Sequence, residues 1–185
     1  MARPDVHLAR TDDAGEIARI QRYTWRIAYG EIVGEAALAS LESEEVEGHW
    51  REAIEYPETD VFIATEGTFT VGFAVSGQAP EEDLADPEGR LPDDAGQFGL
   101  IATTLVEPRW QRRGHGGRLI AAAARALRSR GADSGVTWVA ESDSATLSFF
   151  RSIKWNPDGM VRTLDTGERT VREMRLTGTL DLRVS

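Results

Sequence analysis

The chain has 185 residues, 41% of them hydrophobic and 28% charged, which suits one soluble domain whose core needs no covalent staples. With no cysteine it excludes a disulfide framework and a thiolate metal site, and no metal centre is expected. A formal net charge of −10 at pH 7 excludes a general nucleic-acid binder, because phosphate neutralisation supplies most of that affinity. The charge is uneven: residues 1–100 hold 7 basic and 22 acidic side chains, residues 101–185 hold 14 and 9. The basic part suits a small phosphorylated ligand and the acidic part a cation. The longest apolar stretch, Leu119 to Ala124, is far short of the ~20 residues of a membrane helix. The opening MARPDVHLAR lacks the apolar core of a signal peptide, so the expectation is a cytoplasmic protein with no membrane partner.

In chain order, Val6–Ala9 reads as a first strand. Thr11 is placed as a helix N-cap, with Asp12 and Asp13 favouring the positive helix end. Ile17, Ile20, Thr24 and Ile27 recur at helical spacing and predict that this helix reaches Tyr29. Gly30 and Gly34 loosen the chain before a short apolar helix around Ala36–Leu41. Ser43 caps a further helix, with Val46, Trp50, Ala53 and Ile54 on one face and Pro57 past its end. Val61–Thr65 and Phe69–Ser76 are β-rich runs about Glu66-Gly67-Thr68, a hairpin signal. Residues 78–96 read as a long acidic loop rich in Pro and Gly. A strand over Phe98–Val106 stops at Pro108, and an alanine-rich helix over Gly117–Arg130 ends at Gly131. Val136–Ala140 is a strand and Ala145–Ser152 a short helix. Trp155–Leu164 and Arg169–Leu176 form a closing hairpin around Asp165-Thr166-Gly167. No repeat or linker divides this order, so residues 1–185 read as one α/β domain with a core of about 5–177.

The segment LVEPRWQRRGHGGRLIAAAARALRSRG carries the strongest chemical signal. A strand runs into a basic, glycine-containing loop that opens directly into a helix. The N–H groups of a first helical turn have no intrahelical partner, and the helix dipole adds positive charge there. Gly114, Gly116 and Gly117 let a ligand approach the backbone, and Arg112, Arg113 and Arg118 add charge, which makes a pyrophosphate site. It is not a P-loop, which needs Gly-Lys-Ser/Thr where this chain has Gly117-Arg118-Leu119. Nor is it a dinucleotide fingerprint, whose third glycine position holds Leu119.

Gln111-Arg112-Arg113-Gly114-His115-Gly116 matches the Gln/Arg-x-x-Gly-x-Gly/Ala signature of the GCN5-related N-acetyltransferases (GNAT), and Leu105-Val106-Glu107-Pro108-Arg109-Trp110 resembles the strand end before it. The order of strands and helices fits that family from Val6 to about Leu176. The resemblance implies a mixed, mostly antiparallel sheet of about seven strands with flanking helices, splayed between a bulged fourth strand and the fifth. It implies acetyl-CoA as co-substrate. Backbone groups of Thr104, Leu105 and Val106 would pair with the pantetheine arm, and the N–H groups of residues 112–117 would hold the pyrophosphate. His115 would serve there through its backbone, while Asp143 and Phe150 fall at further cofactor positions. Trp25, Tyr29 and Glu31 lie where the family walls its acceptor site.

The implied chemistry is direct acetyl transfer to a primary amine, on a small molecule or a peptide, through a tetrahedral intermediate. A free alkylammonium has a pKa of ~10.4, so a base must take its proton, and the departing thiolate must receive one. Members of the family often use a strand carboxylate for the first task and a tyrosine on the following helix for the second. Here Phe98–Val106 has no carboxylate, and Ser148-Phe149-Phe150-Arg151-Ser152-Ile153-Lys154-Trp155 puts Phe150 at the tyrosine and Lys154 at a glycine. Phe150 has no proton to donate. Candidate bases are Glu141, Asp93, Asp94, Glu31 and His49. Two readings stay open, an N-acetyltransferase and a non-catalytic acyl-CoA-binding sensor of the same fold. The acidic N-terminal half favours a cationic acceptor, and the family includes homodimers.

Overall fold

A computed structural model describes residues 3–182. Strand β1 (Pro4–Leu8) leads into α1 (Ala14–Thr24), a π-helical turn (Trp25–Tyr29), α2 (Gly30–Val33), α3 (Glu35–Ser40) and α4 (Glu45–Glu55). The hairpin of β2 (Thr59–Glu66) and β3 (Phe69–Gln78) precedes a short α5 (Glu81–Leu84) and β4 (Phe98–Val106). Then come α6 (His115–Ser129), β5 (Ser134–Ala140), α7 (Ser144–Ser152), and the final hairpin of β6 (Asn156–Asp165) and β7 (Thr170–Thr179). The strands form one seven-stranded sheet in the order β1-β2-β3-β4-β5-β7-β6. Every neighbouring pair is antiparallel except β4 and β5, so the sheet is mixed and mostly antiparallel, as the resemblance implied.

Both faces of the central strands are buried, and the period-two alternation of side chains sorts them into two cores. Phe62, Ala64 and Val71 meet Leu119, Ala123 and Leu127 of α6 on one face. Val61, Ile63 and Phe73 meet Ile17 and Ile20 of α1 on the other, where Trp50 of α4 packs edge-on to Phe73 at 5.0 Å. On the first of these faces Trp155 is fully buried in a slot made by a cross-strand glycine pair, Gly135 of β5 and Gly178 of β7. A Cβ added at either would stand 2.3 or 2.2 Å from the indole, so these positions require glycine for space.

Two local features position the site. The pairing of β4 with β5 stops at Leu100 and Val136. One side-chain bond, Thr137 Oγ1 to the Ile101 carbonyl at 2.8 Å, closes the ladder, and the strands then part. On its other edge β4 carries a bulge: Val75 pairs with Thr103 and Ser76 with Ile101, which leaves Ala102 as the extra residue.

The structure corrects several expectations. Thr11 does not cap the first helix; the Asp13 carboxylate accepts the Arg10 N–H at 2.7 Å instead. Ile27 is 56% exposed, because the wider i→i+5 turn rotates it off the face that Ile17, Ile20 and Thr24 share. Residues 78–96 are not wholly a solvated loop. Helix α5 interrupts them, and Leu84 is buried against Val136. Asp83 is pinned by Trp138 Nε1 at 2.8 Å and by an Arg162 guanidinium N–H at 3.0 Å. Helix α6 starts at His115, before the expected Gly117. Among the described residues no helix is long and apolar enough to cross a membrane.

Candidate active site

Strand β4 ends at Val106, and the next residue, Glu107, is a fully buried carboxylate paired with Arg19 and with Arg109 Nε at 2.7 Å. That pairing fixes where strand passes into loop. Arg112 (φ 62°) and Gly114 (φ 81°) both take the left-handed region, which turns successive N–H groups to one side. A non-glycine residue there costs roughly 1–2 kcal/mol, strain of the kind that collects at ligand sites. The first N–H taken up inside α6 is that of Arg118, donated to the Gly114 carbonyl at 3.1 Å. The N–H groups of His115, Gly116 and Gly117 thus have no intrahelical acceptor. A Cβ at Gly117 would meet nothing within 4 Å, and one at Gly116 only the Phe149 ring at 3.9 Å. Open space over free N–H groups at a positive helix end suits a pyrophosphate.

The cationic side chains of this loop divide their work. Arg118 donates to the Arg113 carbonyl at 3.0 Å, and Arg113 pairs with Glu66 at 3.3 Å while its guanidinium lies 4.8 Å over the Trp110 ring. Both brace the loop. Arg112 has no side-chain partner among the described residues, so its charge is free for a ligand. The His115 imidazole is 1% exposed and turned inward, Nε2 standing 2.9 Å from Glu66 Oε2. Only its backbone serves the open side.

Past Thr137 the parted strands enclose a cavity of about 220 Å³. Residues 102–105 of β4 and 137–140 of β5 form two walls. Trp25 and Tyr29 close it from the π turn, Thr146 and Phe150 from α7, and Val171 and Glu173 from β7. Three titratable groups line it: Tyr29, Asp143 and Glu173. Glu173 accepts from Arg162 Nε at 2.6 Å. Asp143 caps α7, its Oδ1 accepting the Thr146 N–H at 3.1 Å, and no cation stands within salt-bridge distance of it among the described residues. The Tyr29 phenol faces Asp143 and Thr146. Burial, and then the Asp143 charge, push it up to about 12, so it is protonated at neutral pH. A separate groove of about 490 Å³ lies between the 84–92 segment and Phe98, Val136 and Arg175, with neither a helix start nor parted strands beside it.

The expected residues fall on both sides of this boundary. Thr104, Leu105, Trp25, Tyr29, Asp143 and Phe150 line the cavity. Phe150 is 3% exposed and packs on Trp155, while Phe149 turns toward Gly116. Val106 does not line the cavity, and its carbonyl accepts from Gln111 at 3.2 Å. Glu141 pairs with Arg172 at 3.2 Å and lies with Glu31 along an outer groove, outside the cavity lining. Asp93, Asp94 and His49 are exposed and away from it. Glu173 was not anticipated. Its signal was the alternation along β7, which puts it on the side of Val171, two residues earlier.

Comparison with known proteins agrees with this geometry. The acetyltransferase (GNAT) family pattern matches residues 21–154. The uncharacterized N-acetyltransferase YuaI of Bacillus subtilis (strain 168) is 31% identical over 146 residues, 78% of this chain and 76% of that protein. The fold resembles the structure of YncA from Salmonella typhimurium with its cofactor acetyl-CoA, with a TM-score of 0.69, 16% identity, and 98% of this chain and 96% of that one covered. It likewise resembles the ribosomal-protein-alanine N-acetyltransferase of Brucella melitensis, with a TM-score of 0.72, 15% identity, and 95% and 99% covered. With the cradle, the parted strands and the matched family pattern together, the chain belongs to the GNAT acetyltransferase family and is an acetyl-CoA-dependent N-acyltransferase.

Proposed function

We propose that the protein moves the acetyl group of acetyl-CoA directly to a primary amine carried by a small molecule or a peptide. The observation that carries this reading is the parting of β4, the strand that runs into the α6 cradle, from β5 to leave a cavity lined by two carboxylates, Asp143 and Glu173. Bound acetyl-CoA supplies an activated thioester. The N–H groups of residues 115–117 and the Arg112 side chain hold its pyrophosphate, and the parted strand edges hold its pantetheine arm. A backbone amide near Leu105 is the donor we assign to the thioester oxygen, where negative charge grows during attack. No covalent acyl-enzyme is needed, and nothing in the cavity suggests one: the chain has no cysteine, and no serine lines the cavity.

Two carboxylates beside the rings of Trp25 and Tyr29 favour a cationic acceptor, since both kinds of group attract an ammonium. The test is thiol release from acetyl-CoA with spermidine, an aminoglycoside and a lysine-rich peptide, set beside acidic amines. Release with at least one cationic amine, slowed by added salt, is expected. Fastest turnover of an acidic amine would remove the cationic preference. Binding of acetyl-CoA without thiol release from any of these amines would remove the acceptor classes proposed here.

A further inference from the structure

We infer that Tyr29 and Asp143 form the proton relay of the transfer: Asp143 takes the proton that the attacking amine sheds, and Tyr29 gives its own to the departing sulfur. The inference rests on the acetyltransferase reading above and begins from the cavity's inventory. Only Tyr29, Asp143 and Glu173 titrate among the residues that line it. Ionised carboxylates accept protons and donate none, so Tyr29 is the one titratable side chain there with a proton to give. The carboxylates also differ from each other. Glu173 is engaged by Arg162 Nε at 2.6 Å, and that guanidinium also bonds Asp83 at 3.0 Å and lies 4.4 Å over the Trp138 ring. Asp143 accepts a backbone N–H and has no cationic partner among the described residues, which leaves it the freer acceptor.

The position of the phenol follows from two helices. Trp25 and Tyr29 bracket the π turn, and both reach the cavity, their ring centroids 6.2 Å apart. The phenol faces Asp143 and Thr146 at the start of α7. Thr146 lies one turn before Phe150 on the same face of α7, and helical side chains lean toward the helix N-terminus. A phenol at position 150 would therefore aim its hydroxyl at the turn where the Tyr29 hydroxyl already stands. The chain supplies from the π turn the proton that Phe150 lacks.

The relay balances. An ammonium first gives one proton to solvent; the neutral amine nitrogen then forms the C–N bond and loses one proton to the Asp143 carboxylate. The C–S bond breaks, and the sulfur takes the phenolic proton of Tyr29. Tyr29 then recovers a proton from the Asp143 carboxylic acid that faces it, so the enzyme ends as it began. The sequence of events is set by charge. While Asp143 is ionised, its field adds to burial in holding the Tyr29 proton. When Asp143 takes the amine's proton that field vanishes, and the phenol becomes a better donor as the sulfur departs.

The test compares Tyr29→Phe, Asp143→Asn and Tyr29→Phe/Phe150→Tyr with wild type, using whichever of spermidine, the aminoglycoside or the lysine-rich peptide it acetylates fastest. Asn is as good an N-cap as Asp, so Asp143→Asn keeps α7 capped. Tyr29→Phe is expected to lower kcat by about ten- to a hundredfold, near the low end for general acid catalysis because a thiolate leaves well. The calorimetric Kd for acetyl-CoA should stay within about threefold. Adding Phe150→Tyr should recover most of the loss. A Tyr29→Phe kcat close to wild type, or a loss that Phe150→Tyr leaves in place, overturns the relay.

A second readout needs neither acetyl-CoA nor turnover. In NMR of protein labelled at tyrosine Cζ, Tyr29 should hold its proton well past the usual tyrosine value of about 10. Asp143→Asn should bring Tyr29 down toward that usual value, and an unmoved Tyr29 contradicts the coupling. If wild type acetylates none of the amines, the proposed acceptor reading fails, and the NMR arm still decides whether the Tyr29–Asp143 coupling exists.

Discussion

The two ends of the cofactor groove are built on different plans. The cradle is one continuous stretch, from Glu107 just after β4 to Arg118 in the first turn of α6, and most of what it offers a ligand is backbone. The reaction end draws Tyr29 from the π turn, Asp143 from the cap of α7 and Glu173 from β7, and what it offers is side-chain chemistry. Bracing differs in the same way. Glu66 from the β2–β3 hairpin holds Arg113 and His115 behind the cradle. The Glu173 side of the cavity is tied through Arg162 to Asp83, in the excursion before β4. Phosphate binding needs a fixed shape, which local backbone supplies. Proton transfer needs groups of different acidity brought together, which only tertiary structure supplies.

The largest effect should come from filling the cradle. Gly116→Glu puts an anion over the free N–H groups, and the added Cβ itself meets only Phe149 at 3.9 Å, so the fold is spared. Acetyl-CoA affinity should drop by more than about a hundredfold by calorimetry, with the thermal midpoint within a few degrees of wild type. Unchanged affinity in the folded variant would move the phosphate site elsewhere.

At the reaction end the signature should be alkaline. An unfolded tyrosine loses its proton near its usual value of 10, whereas folded Tyr29 holds it to about 12. Over that window the unfolded state binds fewer protons, so stability falls as pH rises. The loss should approach about 2 kcal/mol between pH 10 and 12. Urea unfolding should find it in wild type and not in Tyr29→Phe. With Lys154 the only lysine in the chain, few other groups titrate in that range. Equal alkaline losses in the two proteins would mean that Tyr29 is not held as described.

The smallest effect concerns the end of α7. Lys154 (φ 70°) donates its N–H to the Arg151 carbonyl at 3.0 Å, and Trp155 donates to Phe150 at 3.0 Å. This is a Schellman motif, with Lys154 in the left-handed position that glycine usually takes. At the end of α6 the same pattern has Gly131 there. Lys154→Gly should raise stability by about 1 kcal/mol, measured by denaturant midpoint. A lower midpoint would show that the lysine side chain contributes more than its backbone strain costs.

The contrast between the two ends also explains what could be read in the sequence. Everything that makes the cradle lies within a dozen residues, so spacing alone revealed it, and strand and helix order carried the fold. The reaction end had no local marker. No residue pattern announced the π turn, so Ile27 was expected inside, and the turn brings Tyr29 to Asp143 across 114 residues of chain. Asp83 looked like one more surface acid, because its partners Trp138 and Arg162 lie 55 and 79 residues away. Glu141 is a candidate base because it sits next to β5 in sequence, yet it pairs with Arg172 and lies outside the cavity lining. The Lys154 position, by contrast, was legible as a departure from glycine, and its left-handed φ gives the physical reason for the usual glycine.

The most direct test of the account is to map acetyl-CoA onto the backbone amides by NMR. Addition of acetyl-CoA should perturb residues 112–117 together with 103–105 and 137–140, while adenosine 3′,5′-bisphosphate, which lacks the pantetheine arm, should perturb the loop and leave the parted strands unchanged. Shifts gathered instead around Leu84, Phe98 and Arg175, at the separate groove, would contradict it.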